Sequence, residues 1–347
     1  MAAGLLGALS RRADVRPVAY AVSLAGRDRL RSAVPPGTAV ATRPLPARVA
    51  RAAWQRGWPE PRIERWTGDV DVVHAVNYVA PPARAPVIVS VHDLTVLRFP
   101  ELCTTDTLHY PALLRRAITR GAYVHTDSEF VATEVREELG VPAERVTTIA
   151  PGLPEVAGGD AARGREVAGG VPYALALGTV EPRKNLPILV DAFAAVAAAV
   201  PDARLVVAGP DGWGRDAFQR AVDNSPVKDR IVRLGYVSEE TRADLLAGAS
   251  VFAYPSVYEG FGFPPLEAMA AGVPVVASTA GSLPEVLGDA ALLVDPRNAD
   301  ELAAAIKQLL CDSETRARYA KAGLQNVMRF SWTDAADRFV DLYRRVA

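Results

Sequence analysis

The amino-acid sequence predicts an α/β protein of two domains, each built around a parallel sheet. Short apolar segments alternate with amphipathic helical patterns along most of the chain, which is typical of βαβ units. The chain has 347 residues, which is long for one domain and sufficient for two. A segment rich in Gly, Ala and Arg follows Pro151–Pro154 and separates the two alternating series. We therefore predict a first domain at 1–153, a linker at 154–170, a second domain at 171–330 and a terminal helix at 331–347 that packs back on the first domain.

Each series places its strands and helices at recognisable positions. In the first domain we predict strands at Pro17–Ser23, Asp71–Ala75, Val87–Val91, Tyr123–Thr126 and Val146–Ile149. In the second we predict strands at Tyr173–Gly178, Arg204–Ala208, Ile231–Leu234, Val251–Tyr254, Pro274–Ala277 and Ala291–Val294. Helical patterns lie at Leu186–Val200, Glu239–Ala247, Pro265–Ala271, Ala299–Cys311, Ser313–Asn326 and Thr333–Val346. Ligands of such sheets bind at the carboxyl ends of the strands, so we expect a site in the cleft between the domains.

The composition excludes several classes of protein. Half of the residues are hydrophobic, 23% are charged and the net charge is −1, which is typical of globular proteins with substantial cores. Cys103 and Cys311 are far apart and lack metal-ligand spacing, so we expect a reducing cytoplasm and no disulfide framework. No apolar run reaches the roughly 20 residues of a membrane span, and the start lacks the basic-then-apolar order of a secretory signal.

Arginine is concentrated near the amino terminus. Residues 1–66 hold twelve arginines and four acidic residues, a net charge of +8 in a protein that is nearly neutral overall. A basic region of this kind suggests an anionic partner, such as a membrane surface or a phosphorylated molecule. The alternative is a solvated arginine-rich face, which is common on protein surfaces.

Two glutamates, Glu259 and Glu267, lie eight residues apart in the segment YEGFGFPPLEAMAAG at 258–272. Glu259 follows a predicted strand in a glycine-rich turn, whereas Glu267 follows a proline pair that suits the first turn of a helix. Gly260 and Gly262 allow a ligand to approach the backbone, and free amides at a helix N-terminus favour an anion such as phosphate. Carboxylates beside such a site are suited to accept hydrogen bonds from sugar hydroxyls. Either glutamate alone would pass for an ordinary loop or first-turn acid, and their combination favours a binding site.

This segment resembles the E-x7-E motif of the retaining GT-B glycosyltransferases, the large family 4 that includes sucrose synthase and bacterial α-mannosyltransferases. The resemblance covers about residues 70–347 and implies two Rossmann-like α/β domains that face a cleft, the first on the acceptor side and the second holding the donor. It implies that Glu259 is catalytic and contacts the donor-sugar hydroxyls near the reacting centre. Glu267 would bind the ribose of the nucleotide. The loop facing the donor sugar and diphosphate would contain Gly260, Phe261, Gly262 and Phe263.

Other segments of the second domain resemble the same family. LGTVEPRKN at 177–185 is a predicted strand followed by a loop with two adjacent cations, Arg183 and Lys184, which suit a diphosphate. The resemblance implies that these residues bind the donor diphosphate and that Gly178 and Thr179 belong to the same donor site. Many relatives have an arginine at the position of Thr179, and in this chain Arg183 would take over the role of that arginine. A solvated pair of loop charges is the alternative. Contacts with the nucleotide base are expected from Gly235, Tyr236 and Val237.

His92 ends a predicted strand of the first domain, within VSVHDL at 89–94. The family resemblance makes it a second catalytic candidate that touches the donor phosphate or sugar or carries a proton, although a lone histidine is often structural. Asp69 and Asp71 form a D-x-D pattern, which holds a metal ion in glycosyltransferases of another fold, but here it precedes a strand with a buried pattern. The family generally works without metal, so we expect no metal site and no cofactor beyond the nucleotide-sugar co-substrate.

The start of the chain departs from the family pattern. Members of the family normally open with a strand, a glycine-rich loop and a helix, whereas Ala2–Leu9 resembles the middle of that helix and Pro17–Ser23 the second strand. If the first strand and its loop are absent, a sheet edge is exposed. We then expect reduced stability and weak or absent turnover.

The resemblance therefore implies a metal-independent hexosyltransferase that acts with retention, and we expect it in the cytoplasm, with mannose from GDP-mannose as the first expectation. The acceptor would be a glycan or lipid-linked sugar in cell-surface polysaccharide or glycolipid synthesis, and the basic amino-terminal region would contact anionic membrane at its inner face. No nucleic-acid partner is expected. One alternative is a shortened, non-catalytic GT-B partner protein. The other is a nicotinamide-dependent oxidoreductase, which needs a well-placed G-x-G-x-x-G turn that we do not find.

Overall fold

The computed structural model describes residues 1–22, 27–43, 46–56, 58, 61–154 and 158–347. These residues form two compact units, the first containing 1–152 with 330–347 and the second containing 153–329. Each unit alternates strands with helices, and all strand pairing is parallel among the described residues. The predicted α/β class with parallel sheets is therefore confirmed.

The first unit contains two separate sheets. Its strands are β1 (Val18–Val22), β2 (Ala39–Arg43), β3 (Val73–Ala75), β4 (Val87–Val91), β5 (Tyr123–Thr126) and β6 (Val146–Thr148). Its helices are α1 (Ala2–Ser10), α2 (Arg27–Ala33), α3 (Ala47–Gln55), α4 (Glu64–Thr67), α5 (Thr95–Arg98), α6 (Tyr110–Thr119), α7 (Glu129–Leu139) and, from the end of the chain, α16 (Trp332–Val346). β1 pairs with β2, and the other strands form a sheet of order β3-β4-β5-β6.

Five strands of the first unit lie where the sequence predicts strands, but β2 was not predicted. Its sequence AVATR is short, and Ala41 is the one fully buried residue among its described side chains. It therefore has neither the apolar run of a central strand nor a marked alternation. Ser23, the last residue of the first predicted strand, lies outside the described residues. The expected loss of stability and turnover at the start of the chain stays a prediction.

Helix α16 packs in the core of the first unit. Leu5 and Leu9 of α1 share a buried apolar cluster with Ile88 of β4 and Phe339 of α16. The backbone approach is close, since a Cβ at Gly152 would lie 2.2 Å from the amide nitrogen of Trp332. The last helix is thus an integral part of this core.

A chain of buried polar groups also joins α16 to the sheet. The Tyr343 hydroxyl lies 2.8 Å from Nδ1 of His74, whose Nε2 lies 2.8 Å from Oγ of Ser90. Ser90 Oγ lies 2.9 Å from Nδ1 of His125, and Nε2 of His125 donates to the Ile149 carbonyl at 3.0 Å. The fixed acceptor at Ile149 sets the direction of every donor in the chain when both rings are neutral.

The second unit contains one six-stranded parallel sheet. Its strands are β7 (Tyr173–Leu177), β8 (Arg204–Ala208), β9 (Ile231–Gly235), β10 (Val251–Tyr254), β11 (Val275–Ser278) and β12 (Ala291–Val294). Its helices are α8 (Ala161–Val167), α9 (Leu186–Ala199), α10 (Arg215–Asn224), α11 (Glu239–Gly248), α12 (Phe263–Ala270), α13 (Leu283–Leu287), α14 (Ala299–Cys311) and α15 (Ser313–Val327). All six strands were predicted within two residues at each end.

The strand order of this sheet is β12-β11-β10-β7-β8-β9. The chain moves outward from β7 in one direction through β8 and β9, then returns to β10 and moves outward in the other direction. The order therefore reverses between β7 and β10. In open α/β sheets a ligand crevice forms at such a reversal, outside the carboxyl ends of the two strands. The loops after β7 and β10 are the places to look for a site.

The segment 154–170, which we predicted to be a linker, includes helix α8. This helix lies against α11, and a Cβ at Gly164 would be 1.9 Å from the carbonyl oxygen of Asp244. The Asp244 carboxylate accepts a hydrogen bond from the amide of Asp160 at 2.6 Å. Small residues that permit this close contact also give the segment a linker-like composition. Residues 155–157 lie outside the described part of the chain.

None of the helices described is both long and apolar enough to cross a bilayer.

Candidate active site

The loops after β7 and β10 are tied together at the reversal point of the second sheet. The loop after β7 ends in a 3-10 turn, Pro182–Lys184, and then Asn185 adopts a left-handed conformation with φ 54°. The Asn185 side chain donates to the carbonyl of Pro255 at 3.2 Å and to that of Pro296 at 2.7 Å. The amide of Val257 donates to the Arg183 carbonyl at 2.9 Å. These bonds hold two loops with separate sequence origins at one place.

Glu259 lies buried in the β10 loop and is surrounded by donors. Its Oε1 accepts hydrogen bonds from Nζ of Lys184 at 2.7 Å and from the hydroxyl of Tyr254 at 2.9 Å. Its Oε2 lies 2.5 Å from Nη1 of Arg183. Burial alone would raise the pKa of Glu259, but the charges of Lys184 and Arg183 outweigh it and lower the pKa to about 2. The carboxylate is therefore ionised throughout the physiological pH range.

The two cations of this cluster are themselves only partly accessible. The side chains of Lys184 and Arg183 are 12% and 18% exposed, and Arg183 also pairs with Glu181 at 2.7 Å. Lys184 further contacts Tyr254, with its ammonium 4.6 Å from the ring centroid. Together Glu181, Arg183, Lys184 and Glu259 have no net formal charge. An anion that binds the two cations must therefore compete with Glu259.

The backbone of the Glu259 loop is held by the loop that follows β11. The amide and hydroxyl of Ser282 donate to the Glu259 carbonyl at 2.9 and 3.1 Å. Gly281 has φ 64°, and a Cβ there would lie 2.3 Å from that same carbonyl oxygen. A larger residue at 281 would displace the loop that carries Glu259.

Helix α12 begins directly after this loop. Gly262 precedes it with φ 98°, and Pro264 and Pro265 occupy its first turn. The sequence predicts Glu267 in the first turn of this helix, and that prediction is wrong. The helix starts at Phe263, so Glu267 is its fifth residue and lies in the second turn. Its carboxylate forms an ion pair with Arg242 of α11.

The other predicted donor residues lie at the same carboxyl edge of the sheet. Gly178 and Thr179 follow β7, and a Cβ at Gly209, after β8, would lie 1.9 Å from the Gly178 oxygen. Gly235 ends β9 with φ 68°, and the ring of Tyr236 beside it is 77% exposed. In the Glu259 loop the structure places Gly260, Phe261 and Gly262 in buried positions and leaves Phe263 and, after β9, Val237 partly exposed. Of the donor residues predicted from the sequence, Arg183 and Lys184 contact the Glu259 carboxylate directly.

His92 lies after β4 in the first unit, which is described here by itself. Its Nδ1 is 2.7 Å from Oδ2 of Asp127, and its Nε2 is 2.9 Å from the carbonyl of Val76. Burial alone would lower the pKa of His92, but the hydrogen bond and charge of Asp127 outweigh it and raise the pKa. Both nitrogens face acceptors, an arrangement that a ring with two N–H donors satisfies. A ring in that state has no lone pair to take up a proton from a ligand.

Sequence reasoning missed several residues that build the site. Tyr254 was seen as the end of a strand, and its position one residue before the loop was a usable signal. Asn185 follows the two cations directly. Asn adopts the left-handed conformation more readily than most residues, so an Asn at this position was a usable signal of a turn. Arg242 and Ser282 gave no signal, because their partners lie more than twenty residues away along the chain.

No group of three or more His, Cys, Asp or Glu side chains with metal-site geometry occurs in the described ranges. Asp69 of the D-x-D pattern is 98% exposed and lies 3.6 Å from Arg84.

Comparison with protein families matches both halves of the chain. Residues 161–326 match the model "Glycosyl transferases group 1", and residues 2–155 match "Glycosyltransferase Family 4". The chain is 32% identical over 286 residues to O-antigen chain mannosyltransferase B of Escherichia coli, which covers 79% of this chain and 74% of that protein. It is 40% identical over 135 residues to MMP alpha-(1->4)-mannosyltransferase of Mycolicibacterium hassiacum, which covers 35% of this chain and 33% of that protein.

Two solved structures share the fold over nearly the whole chain. Sucrose-phosphate synthase from Thermosynechococcus elongatus has a TM-score of 0.74 at 21% identity and covers 98% of this chain and 91% of that one. HepE of Anabaena, solved with UDP-glucose, has a TM-score of 0.74 at 20% identity and covers 99% and 96%. At these identities the likeness shows the fold alone, and neither the oxidoreductase nor the non-catalytic alternative is favoured by the matches. The chain belongs to the group 1, family 4 glycosyltransferases and has their GT-B fold.

Proposed function

We propose that this glycosyltransferase is a retaining mannosyltransferase that takes mannose from GDP-mannose. The observation that carries the proposal is the contact of Glu259 with Lys184 and Arg183 at the strand-order reversal. It combines two cations suited to a diphosphate with one carboxylate suited to sugar hydroxyls. The choice of mannose is supported by the two relatives named as mannosyltransferases, and a nucleotide-sugar donor by the UDP-glucose bound to HepE.

In the proposed reaction the donor diphosphate displaces Glu259 from Arg183 and Lys184. The bond between the sugar anomeric carbon and the phosphate oxygen breaks, and the diphosphate leaves with the electron pair. The acceptor hydroxyl oxygen bonds to the anomeric carbon on the same face, and its proton passes to the leaving phosphate oxygen. Arg183 and Lys184, once released from Glu259, stabilise the departing charge together with the amides of the loop that precedes α12. The proposed chemistry assigns no step to a metal ion.

The freed carboxylate of Glu259 would hold the mannose hydroxyls as the ring flattens. Glu267, oriented by Arg242, would accept hydrogen bonds from the ribose. Gly178 and Thr179 would line the diphosphate, and the exposed Tyr236 with Gly235 and Val237 would contact guanine. Because both ring nitrogens of His92 face acceptors, its proposed role is to attract donor phosphate as a cation and not to carry a proton.

We further propose that the acceptor is a glycan or lipid-linked sugar of a cell-surface polysaccharide or glycolipid. The enzyme would work in the cytoplasm, at the inner face of the membrane. This part is supported by the net charge of +8 in residues 1–66, since each basic residue near an anionic bilayer contributes about 1 kcal/mol of attraction.

Donor hydrolysis and transfer, followed by NMR of the anomeric protons, test the proposal. The purified chain is incubated with GDP-mannose, GDP-fucose, UDP-glucose and ADP-glucose, with membrane lipid extract as the acceptor source and with or without a metal chelator. The expected result is an α-mannoside made from GDP-mannose at a rate the chelator leaves unchanged. A β-mannoside would contradict retention, and transfer from UDP-glucose alone would contradict the choice of donor.

A further inference from the structure

Tyr254 is a buried residue of the candidate active site to which the proposed reaction gives no role. It ends β10 and is 3% exposed. Its hydroxyl oxygen lies 2.5 Å from Nζ of Lys184 and 2.9 Å from Oε1 of Glu259. Since an ammonium group only donates and a carboxylate only accepts, this hydroxyl accepts from Lys184 and donates to Glu259. Its two neighbours therefore fix the direction of the phenolic hydrogen.

The ring of Tyr254 is carried by the middle of the sheet. Strand β10 is paired on both sides, with β7 and with β11, where Tyr254 is in register with Ala277. The ring also stacks on that of Phe252, with the two centroids 6.0 Å apart. Lys184 and Glu259 lie instead in the segments that follow strands. Because groups on strands are positioned more precisely than groups on loops, Tyr254 supplies the fixed point of the cluster.

The hydroxyl of Tyr254 is uncharged at physiological pH. Burial, and then the negative charge of Glu259, raise the pKa of Tyr254 well above its usual value. A diphosphate is attracted to the charged groups of Arg183 and Lys184, whereas a neutral hydroxyl attracts it far less. The hydroxyl is therefore the partner of Glu259 that a diphosphate is least able to take away.

Binding of the sugar donor changes the surroundings of Glu259. In the proposed reaction the diphosphate takes Arg183 and Lys184 away from this carboxylate, which is 6% exposed. A buried carboxylate that loses its partners takes up a proton or moves, and either change removes the acceptor that the sugar hydroxyls need. Tyr254 and Lys184 both donate to Oε1 of Glu259, so the tyrosine contact remains when the lysine leaves.

We propose that Tyr254 is a positioning residue of the transfer reaction. Its hydroxyl keeps the Glu259 carboxylate ionised and in place while the diphosphate occupies Arg183 and Lys184. Tyr254 touches neither the sugar nor the diphosphate in this role and acts through Glu259. The inference rests on the proposed function, because it requires a diphosphate to displace Glu259 from the two cations.

Proton uptake on ligand binding tests this role without turnover. Calorimetric titration of the full chain with inorganic pyrophosphate, in two buffers of different ionisation enthalpy at about pH 6, counts the protons bound with the ligand. Glu259→Gln does not titrate at this position and gives the uptake due to the ligand itself. The wild type should match it within about 0.2 proton, whereas Tyr254→Phe should take up as much as about one proton more. Adding Glu259→Gln to Tyr254→Phe should remove the excess.

Tyr173 provides a matched control in the same sheet. It is fully buried in β7, and its hydroxyl donates to the Leu245 carbonyl at 2.6 Å. Tyr173→Phe therefore removes an equally buried tyrosine hydroxyl that does not contact Glu259. Its proton uptake should equal that of the wild type, so a change confined to Tyr254→Phe does not come from a lost buried hydrogen bond in general.

Transfer kinetics with GDP-mannose give a second readout. Tyr254→Phe should lower kcat by about 10–100-fold, since Glu259 is no longer held at the sugar. KM should change by less than about threefold, because Tyr254 does not touch the donor. The loss of kcat should shrink as the pH rises, because ionisation of Glu259 restores the acceptor. Tyr173→Phe should keep both constants and their pH dependence.

Three outcomes overturn the proposal. The first is equal proton uptake by the wild type, Tyr254→Phe and Tyr173→Phe. The second is a full extra proton in the wild type relative to Glu259→Gln, a comparison that needs no folded Tyr254 variant. The third is a wild type that does not bind pyrophosphate, because the exchange of partners then does not occur. The proposed function fails in another way: a wild type that binds pyrophosphate but transfers no mannose contradicts the choice of donor, while the uptake comparison still decides the role of Tyr254.

Discussion

The carboxylate of Glu259 and the ammonium of Lys184 lie 2.7 Å apart at the carboxyl edge of a parallel sheet. Arg183 contacts the second carboxylate oxygen at 2.5 Å. The groups proposed for diphosphate and for sugar thus neutralise each other in this arrangement. When the donor binds, Arg183 and Lys184 must exchange their contacts with Glu259 for contacts with the diphosphate. Variants that remove one partner therefore change binding and turnover in different ways.

Replacing Glu259 by Ala is expected to separate binding from turnover. Turnover should fall by about 10²–10³-fold, because a contact that strengthens in the transition state is lost. The affinity for GDP should rise by about fivefold, since Arg183 and Lys184 no longer have to leave a carboxylate. Calorimetric titration with GDP and a transfer assay measure the two effects. Weaker GDP binding in this variant would show that Glu259 organises the cations and does not compete for them.

Replacing Lys184 by Met should destabilise the protein as well as the reaction. The change leaves a buried carboxylate with one cation fewer and is expected to cost about 1–3 kcal/mol of unfolding free energy. The lowered pKa of Glu259 gives stability that is present above the unfolded value, about 4.3, and is lost as the pH falls. The variant should show less of this acid dependence in urea unfolding. Lys228→Met, at an exposed site, is the control and should change stability by less than about 0.5 kcal/mol.

Arg242 is expected to act on donor binding through Glu267. Arg242→Gln should raise KM for the donor by about tenfold with little change in kcat, because the carboxylate loses its orienting partner while the reacting centre is untouched. Arg242→Lys should recover part of the loss, whereas Arg220→Gln on α10 should have no effect. An equal fall in kcat and kcat/KM would instead place Arg242 in the transition state.

Two glycines with similar backbone angles should respond differently to Ala. Gly281 and Gly272 have φ of 64° and 73°. A Cβ at Gly281 meets the Glu259 carbonyl at 2.3 Å, whereas nothing lies within 4 Å at Gly272. Gly272→Ala should cost about 1–2 kcal/mol from the left-handed conformation alone. Gly281→Ala should cost about 2 kcal/mol more and abolish transfer, because the loop must move. Similar unfolding midpoints for the two variants would contradict the proposed role of the contact.

The buried histidine chain predicts acid sensitivity of the first unit. Burial lowers the pKa of His74 and of His125 in the folded protein. At a pH above the pKa of histidine in the unfolded chain, about 6.5, both states hold neutral rings and the pH has no effect on stability through them. Below that pH the unfolded chain binds protons at these histidines, whereas the folded chain does not. Each ring therefore removes up to about 1.4 kcal/mol of stability per pH unit below 6.5. The raised pKa of His92 opposes this, since its contribution is present below 6.5 and is lost as the pH rises.

Urea unfolding of the wild type and of His125→Gln near pH 7.5 and pH 5.5 isolates one ring of the pair. The glutamine amide can still donate to the Ile149 carbonyl but does not titrate. The variant should be less stable near pH 7.5 and lose less stability on acidification, by up to about 1 kcal/mol. A parallel pH dependence of the two proteins would rule out His125 as a source of the acid sensitivity.

Local sequence determined the parallel α/β architecture and most strand positions of this protein. Strands such as β7 and β10 are continuous apolar runs between turn residues, and their hydrophobic pattern needs no knowledge of partners. Strand β2 was not predicted because its short sequence AVATR has no continuous apolar run. Helix α8 was not predicted because the glycines that allow it to pack on α11 are also typical of a linker. The E-x7-E spacing likewise identified the family before any geometry was known.

Only the tertiary structure decided which charges meet. Glu259 is 75 residues from Lys184 and is joined to it because β7 and β10 become neighbours at the reversal of strand order. His92 also meets Asp127, 35 residues away along the chain, and no local pattern announced that contact. Secondary-structure patterns depend on residues that are close in sequence. These contacts depend instead on which strands and helices pack together, and the packing is set by the whole buried core.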